Sequence, residues 1–121
     1  MIREFVMTEL FDSSWEDQRL TDDDLFLLQD ELLRNTKRGD VMRSTGGFRK
    51  IRYALEGRGK SGSLRIIYLD IPEFETLYLM LTYPKSEKDS LSSGERNELK
   101  RIAYNIKRNL QEHKRKGFDH G

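Results

Sequence analysis

The first segments of the chain carry hydrophobic residues at two different spacings. The apolar segment at residues 2–7 predicts a short opening strand, and a helix that contains Trp15 is expected to begin at Thr8 or Asp12. This change of spacing indicates that a strand is followed directly by a helix.

A second helix is marked more clearly. Thr21 and Asp24 stand at the positions of a capping box, in which each side chain accepts a hydrogen bond from the backbone N–H of the other residue. Gly39 is expected to end this helix after a cationic last turn. The apolar stripe has helical spacing and consists of Leu25, Leu28, Leu32 and Leu33.

The middle of the chain changes to the period of two that is typical of strands. Residues 45–47 (Thr-Gly-Gly) predict a turn, and residues 48–55 place alternate side chains on the two faces of a strand. One face carries Arg49, Ile51, Tyr53 and Leu55, and the other carries Phe48, Lys50, Arg52 and Ala54. After a polar loop at 56–62, residues 64–71 are apolar on both faces, which predicts a central strand.

The last part of the chain predicts one more strand at residues 77–83 and a final amphipathic helix that begins at Ser92, Ser93 or Gly94. The tail at 113–121 is expected to fray. Strands that follow one another, rather than alternating with helices, favour an α+β fold. We expect an antiparallel sheet with two N-terminal helices and one C-terminal helix, in a single domain over residues 1–121.

Composition narrows the class of protein. Only 36% of the 121 residues are hydrophobic, yet the clear apolar runs and 10% aromatic residues argue against disorder. There is no cysteine, so neither disulfides nor thiolate chemistry is expected. No apolar stretch reaches the length of a membrane span, and residues 1–20 lack the plan of a signal peptide. A soluble cytoplasmic protein without membrane contacts is the expectation.

The net charge of +1 hides an uneven distribution along the chain. Residues 1–40 carry five basic and eleven acidic residues, whereas residues 43–68 carry seven basic residues and one acid. Residues 69–121 are nearly balanced, with ten basic and nine acidic residues. A basic segment of this kind commonly faces phosphate, although many such segments are simply solvated surface.

Lys50 and Arg52 are the most informative cations of that segment. On a strand they project from the same face about 7 Å apart, so they can bracket a phosphodiester; the alternative is the solvent face of a half-exposed sheet. Arg65 begins the central strand, where an unpaired buried charge is costly. It is expected either to pair with an acid such as Glu75 or to line a site.

Other motifs exclude functions. The loop at 57–62 (Gly-Arg-Gly-Lys-Ser-Gly) lacks the spacing of a nucleotide-binding P-loop and precedes a strand, which excludes nucleotide hydrolysis. His113 and His120 lie in the polar tail, and the acidic run at 22–24 stands where helix N-termini favour acids. We therefore expect no metal site, no histidine-based chemistry and no cofactor.

Taken in order, several segments resemble the HigB branch of the RelE toxin superfamily. They are residues 39–41 (Gly-Asp-Val), 45–52 (Thr-Gly-Gly-Phe-Arg-Lys-Ile-Arg), 57–62, 65–68 (Arg-Ile-Ile-Tyr) and 83–91, followed by the amphipathic last helix. The resemblance implies a RelE-like sheet flanked by helices, and a toxin that cuts mRNA at the ribosome and is neutralised by an antitoxin.

The resemblance also implies site residues. The basic active-site positions of the family are matched here by Lys50, Arg52 and Arg65. Neighbouring cations would disfavour the protonated form of Lys50, so Lys50 is the candidate general base. Arg52 and Arg65 would stabilise the phosphorane through their guanidinium groups. A catalytic tyrosine found in some relatives has no clear match in Tyr83 or Tyr104. The residues expected to hold RNA are Arg49, Arg58, Lys60, Tyr83, Lys85 and Lys88.

Two other functions stay open at the level of sequence. A basic sheet of the same fold could bind RNA or a protein without cutting, and a purely structural subunit is the third possibility. The toxin interpretation implies a cognate antitoxin, the ribosome and mRNA as partners, and a monomeric free toxin.

Overall fold

The computed structural model describes residues 2–54, 63–87 and 90–120, with the side chains of 116–120 outside the description. The first three elements are β1 (Glu4–Met7), α1 (Glu9–Asp17) and α2 (Asp22–Arg34). The strands β2 (Asp40–Val41), β3 (Arg49–Ala54) and β4 (Ser63–Ile71) follow. A 3₁₀ turn (Pro72–Phe74), β5 (Thr76–Pro84) and α3 (Ser93–His120) complete the order, which confirms the expected α+β fold.

Side-chain caps fix where the helices begin. The Thr8 hydroxyl accepts the Phe11 N–H at 3.0 Å, and Thr21 and Asp24 form the predicted capping box. Ser92 and Glu95 repeat this reciprocal arrangement at the start of α3.

The end of the second helix differs from the prediction. Helix α2 ends at Arg34, because Asn35 already has extended backbone angles, so the prediction that Gly39 stops the helix was wrong. Helix α3 extends to His120, and fraying of the tail at 113–121 stays a prediction. Leu55 and the expected loop at 56–62 lie outside the described residues.

The five strands form one sheet in the order β1-β5-β4-β3-β2. The β2–β3, β3–β4 and β4–β5 pairs are antiparallel as expected, whereas β1 pairs with β5 in parallel. This places β4 in the middle of the sheet and β2 at one edge.

Two hydrophobic layers cover the two faces of the sheet. On one face, Phe11 and Trp15 of α1 stack with ring centroids 5.4 Å apart and pack with Leu28 and Leu32 of α2. On the other face, residues of α3 such as Leu99 and Ala103 pack against the sheet. The β4 side chains alternate between these layers, which confirms the prediction of a central strand. In the described parts of the chain, no helix has the length and apolar composition needed to cross a membrane.

Candidate functional site

The strand register brings the predicted cations of β3 and β4 together. Ile51 and Tyr53 pack in the α1/α2 layer, so Lys50 and Arg52 project from the opposite face, as predicted. Arg52 lies directly opposite Arg65 on β4, and Arg65 lies opposite Tyr83 on β5. Directly opposed residues share a sheet face, so Lys50, Arg52 and Arg65 all belong to the face that α3 covers.

An open cleft of about 580 Å³ lies beside Lys50 and Arg52 at the β2 edge of the sheet. Five of its lining residues are cationic and one is acidic, so its electrostatic potential favours an anion. The residues that line it are Arg38, Asp40, Val41, Met42, Arg43, Lys50, Ile51, Arg52 and Arg96. We call this surface the cationic cleft.

The short strand β2 is held against β3 through Gly39. The Tyr68 hydroxyl donates to the Thr36 carbonyl at 2.7 Å and accepts the Gly39 N–H at 2.9 Å. Burial raises the pKa of Tyr68, which keeps this hydroxyl protonated as a donor. Arg49 donates to the Gly39 carbonyl at 2.7 Å.

Glycine is required at position 39 by a close approach. A Cβ atom there would lie 2.6 Å from Ile51 Cγ2, which real side chains essentially never tolerate. The contacts around Gly39 therefore place the next residue, Asp40, directly opposite Lys50 in the β2–β3 pair.

Helix α3 fixes the other wall of the cationic cleft. Lys107 Nζ donates to the Gly46 carbonyl at 2.9 Å, and Arg96 donates to the Arg43 carbonyl at 3.2 Å. A Cβ on Gly46, whose φ is +78°, would lie 2.9 Å from the Ala103 Cβ. The turn before β3 is thus packed on α3, which brings Arg43 and Arg96 to the cleft.

Arg65 lies beneath the surface rather than in the wall of the cleft. It is 1% exposed and donates to the Ser63 hydroxyl at 3.1 Å. Glu75 follows the other end of β4, about 20 Å away at the usual rise per residue, so it does not pair with Arg65. Pairing of Arg65 with another acid stays a prediction. Tyr83, its neighbour on β5, is also buried.

The other residues expected to hold RNA are distributed differently. Lys85 is exposed, and its backbone N–H donates to the Ser63 carbonyl, so it lies near the Arg65 end of β4. Arg49 projects from the opposite face and is engaged with the Gly39 carbonyl. Arg58, Lys60 and Lys88 lie outside the described residues.

Sequence reasoning missed several residues of the cationic cleft, namely Arg38, Arg43, Arg96 and Asp40. From the sequence, Arg38 belongs only to the cationic turn before Gly39. In the structure it forms an ion pair with Glu31, and its Cζ atom lies 5.9 Å from the centroid of the Tyr53 ring. Arg96 reaches the cleft because α3 docks on the turn before β3. In the part of the chain that is described, no group of three or more His, Asp or Glu is placed to hold a metal ion.

A protein-family model matches almost the whole chain. It is described as the RelE toxin of the RelE/RelB toxin–antitoxin system, and the match runs over residues 4–117. That range contains every residue of the cationic cleft, and Arg65 beneath it.

Proposed function

Because the chain belongs to the RelE toxin family, we propose that it stops translation by cutting mRNA bound to the ribosome. The observation that carries this proposal is the cationic cleft, in which Lys50 and Arg52 project side by side with three further arginines. Such a cleft attracts an RNA backbone and can stabilise the charge that develops at its phosphorus.

Cutting RNA through the ribose 2′-hydroxyl makes three chemical demands. The hydroxyl must lose a proton, the phosphorane must be stabilised, and the departing 5′-oxygen must gain a proton. Arg52 fits the second demand, because a guanidinium fork matches two phosphate oxygens. Lys50 is the candidate for the transfer of protons at the 2′-hydroxyl and the 5′-oxygen. In this scheme, side chains of the protein carry out all three tasks.

Arg65 is proposed to act from beneath this surface. Arg65 lies directly opposite Arg52 across β3 and β4, so its positive charge adds to the potential at Arg52. This added potential would favour a phosphate bound at Arg52.

The remaining candidates have supporting roles in the proposal. Lys85, with Arg58, Lys60 and Lys88, would hold the RNA backbone or ribosomal RNA. Arg49 and Tyr83 would support the site from within, since Arg49 holds Gly39 and Tyr83 is buried beside Arg65.

Membership of the family gives the chain an antitoxin partner. We propose that the chain belongs to the HigB branch and that the free toxin is a cytoplasmic monomer. The segments that resemble this branch are residues 39–41, 45–52, 57–62, 65–68 and 83–91, with the last helix. An acidic antitoxin segment would complement the cationic cleft, so its association should slow as salt screens the charges.

Cleavage on programmed ribosomes tests the proposal. End-labelled mRNA should be cut within its translated region, should leave a 2′,3′-cyclic phosphate, and should stay mostly intact without ribosomes. A matched control is Arg34→Ala, which removes an exposed α2 arginine paired with Asp30 and should leave cutting unchanged. Intact mRNA on ribosomes that have bound the protein would instead indicate a module that binds without cutting.

A further inference from the structure

The cationic cleft holds one negatively charged residue among its described lining residues, and that residue is Asp40. It is exposed, and its Cα is the register partner of Lys50. Side chains that are directly opposite across two strands have Cβ atoms about 5 Å apart. The carboxylate and the amine can therefore reach neighbouring atoms of one bound nucleotide.

The position of Asp40 is fixed by the fold. The residue before it, Gly39, is held by Tyr68 through its N–H and by Arg49 through its carbonyl. Its close approach to Ile51 leaves no room for a side chain at that point. This arrangement fixes the backbone of Asp40 opposite Lys50, so both side chains can reach the same bound nucleotide.

We propose that Asp40 accepts the proton of the 2′-hydroxyl and that Lys50, as an ammonium, gives a proton to the departing 5′-oxygen. The inference rests on the proposed RNA cleavage and divides its two proton transfers between two residues. It makes Lys50 the general acid instead of the general base that the sequence predicts, because the carboxylate opposite it favours the ammonium form. A carboxylate can accept a proton and an ammonium can donate one, which are the two roles that the reaction needs.

The proposed step balances. The 2′-oxygen gives its proton to Asp40 and forms a bond to phosphorus, while the bond from phosphorus to the 5′-oxygen breaks. The electron pair of that bond stays on the 5′-oxygen, which takes a proton from Lys50. The products are a 2′,3′-cyclic phosphate and a 5′-hydroxyl, and the proton returns from Asp40 to Lys50 through solvent.

A substrate with sulfur in place of one bridging 5′-oxygen separates these two roles. A thiolate is a far better leaving group than an alkoxide and departs without being protonated. On ordinary mRNA, Asp40→Asn and Lys50→Ala should each slow single-turnover cleavage about a hundredfold or more, the range of general acid–base catalysis. On the sulfur substrate, Lys50→Ala should recover most of the wild-type rate and Asp40→Asn should stay slow.

The matched control is Asp30→Asn, which neutralises an exposed carboxylate on α2 and should cut both substrates at the wild-type rate. Thermal unfolding and ribosome binding of each variant show whether the chain is intact. If Asp40→Asn does not fold, Asp40→Glu replaces it: this variant keeps a carboxylate, and its cutting of ordinary mRNA should exceed that of Asp40→Ala.

Three outcomes would overturn the assignment: wild-type cutting by Asp40→Asn, rescue of Asp40→Asn by sulfur, or no rescue of Lys50→Ala. If Asp40→Glu is used instead of Asp40→Asn, equal cutting of ordinary mRNA by Asp40→Glu and Asp40→Ala would also overturn the assignment. Failure of the wild-type protein to cut ordinary mRNA on ribosomes would instead reject the proposed function itself.

Discussion

The two ends of the central strand β4 place an arginine in different surroundings. At one end, Arg3 donates from Nε to Asp70 at 2.7 Å, with the two side chains only 9% and 6% exposed. That hydrogen bond raises the pKa of Arg3. At the other end, the buried Arg65 lies opposite another cation, Arg52, and beneath a cleft rich in further arginines.

The difference shows which of the two ends serves stability. The Arg3–Asp70 pair neutralises its charges within the fold and joins the chain start to the sheet. The Arg65 end gathers cations from β3, from the turn before β3 and from α3, and this concentration of positive charge attracts anions. A fold that keeps such a cluster is suited to an anionic ligand, which here is the proposed RNA.

In the comparison of the two ends of β4, the largest expected effect is that of Arg52→Ala. Single-turnover cleavage should fall about a hundredfold, as on loss of one preorganised donor to a charged transition state. Because Arg52 is exposed, the free energy of unfolding should change by about 0.5 kcal/mol or less. If Arg52→Ala lowered stability but cut mRNA at the wild-type rate, Arg52 would serve the stability of the fold, as Arg3 does.

The opposite end should respond in the opposite manner. Arg3→Met leaves Asp70 buried without its charged hydrogen-bond donor, so the free energy of unfolding should fall by about 2 kcal/mol. Cleavage of mRNA by the folded variant should stay at the wild-type rate. The double variant Arg3→Met/Asp70→Leu should regain part of the lost stability, because it removes both charges. Slow cleavage by folded Arg3→Met would show that the two ends are coupled.

Local patterns in the sequence were enough to place most elements. The caps at Thr8 and Thr21 depend on residues three positions apart, and the two faces of β3 depend on simple alternation. The same alternation assigned Lys50 and Arg52 to one face and Arg49 to the other. The contact of Arg49 with the Gly39 carbonyl could not be read from this alternation, because it depends on how β2 lies beside β3.

What escaped prediction depends on contacts between distant segments. The parallel pairing of β1 with β5 joins residues more than seventy positions apart, and no local signal encodes it. Arg96 enters the cationic cleft only because Lys107 and Ala103 fix α3 on the turn at Gly46. The role of Gly39 likewise follows from Tyr68 and Ile51, so a helix stop was the natural but wrong interpretation.

The smallest expected effect is that of Arg65→Met. It decides whether Arg65 serves cleavage, as proposed for Arg52, or the stability of the fold, as Arg3 does. The variant Arg65→Met keeps most of the apolar stem but removes the charge. Without this buried cation the field at the phosphate weakens, so single-turnover cleavage should slow about tenfold, which corresponds to about 1.4 kcal/mol. If the charge of Arg65 serves the site, the free energy of unfolding should fall less than in Arg3→Met. Urea unfolding and single-turnover cleavage on ribosomes measure the two quantities, with Arg65→Lys as the variant that keeps the charge and should cut faster than Arg65→Met. A strongly destabilised Arg65→Met that cuts at the wild-type rate would make Arg65 a structural residue, and the contrast between the two ends of β4 would disappear.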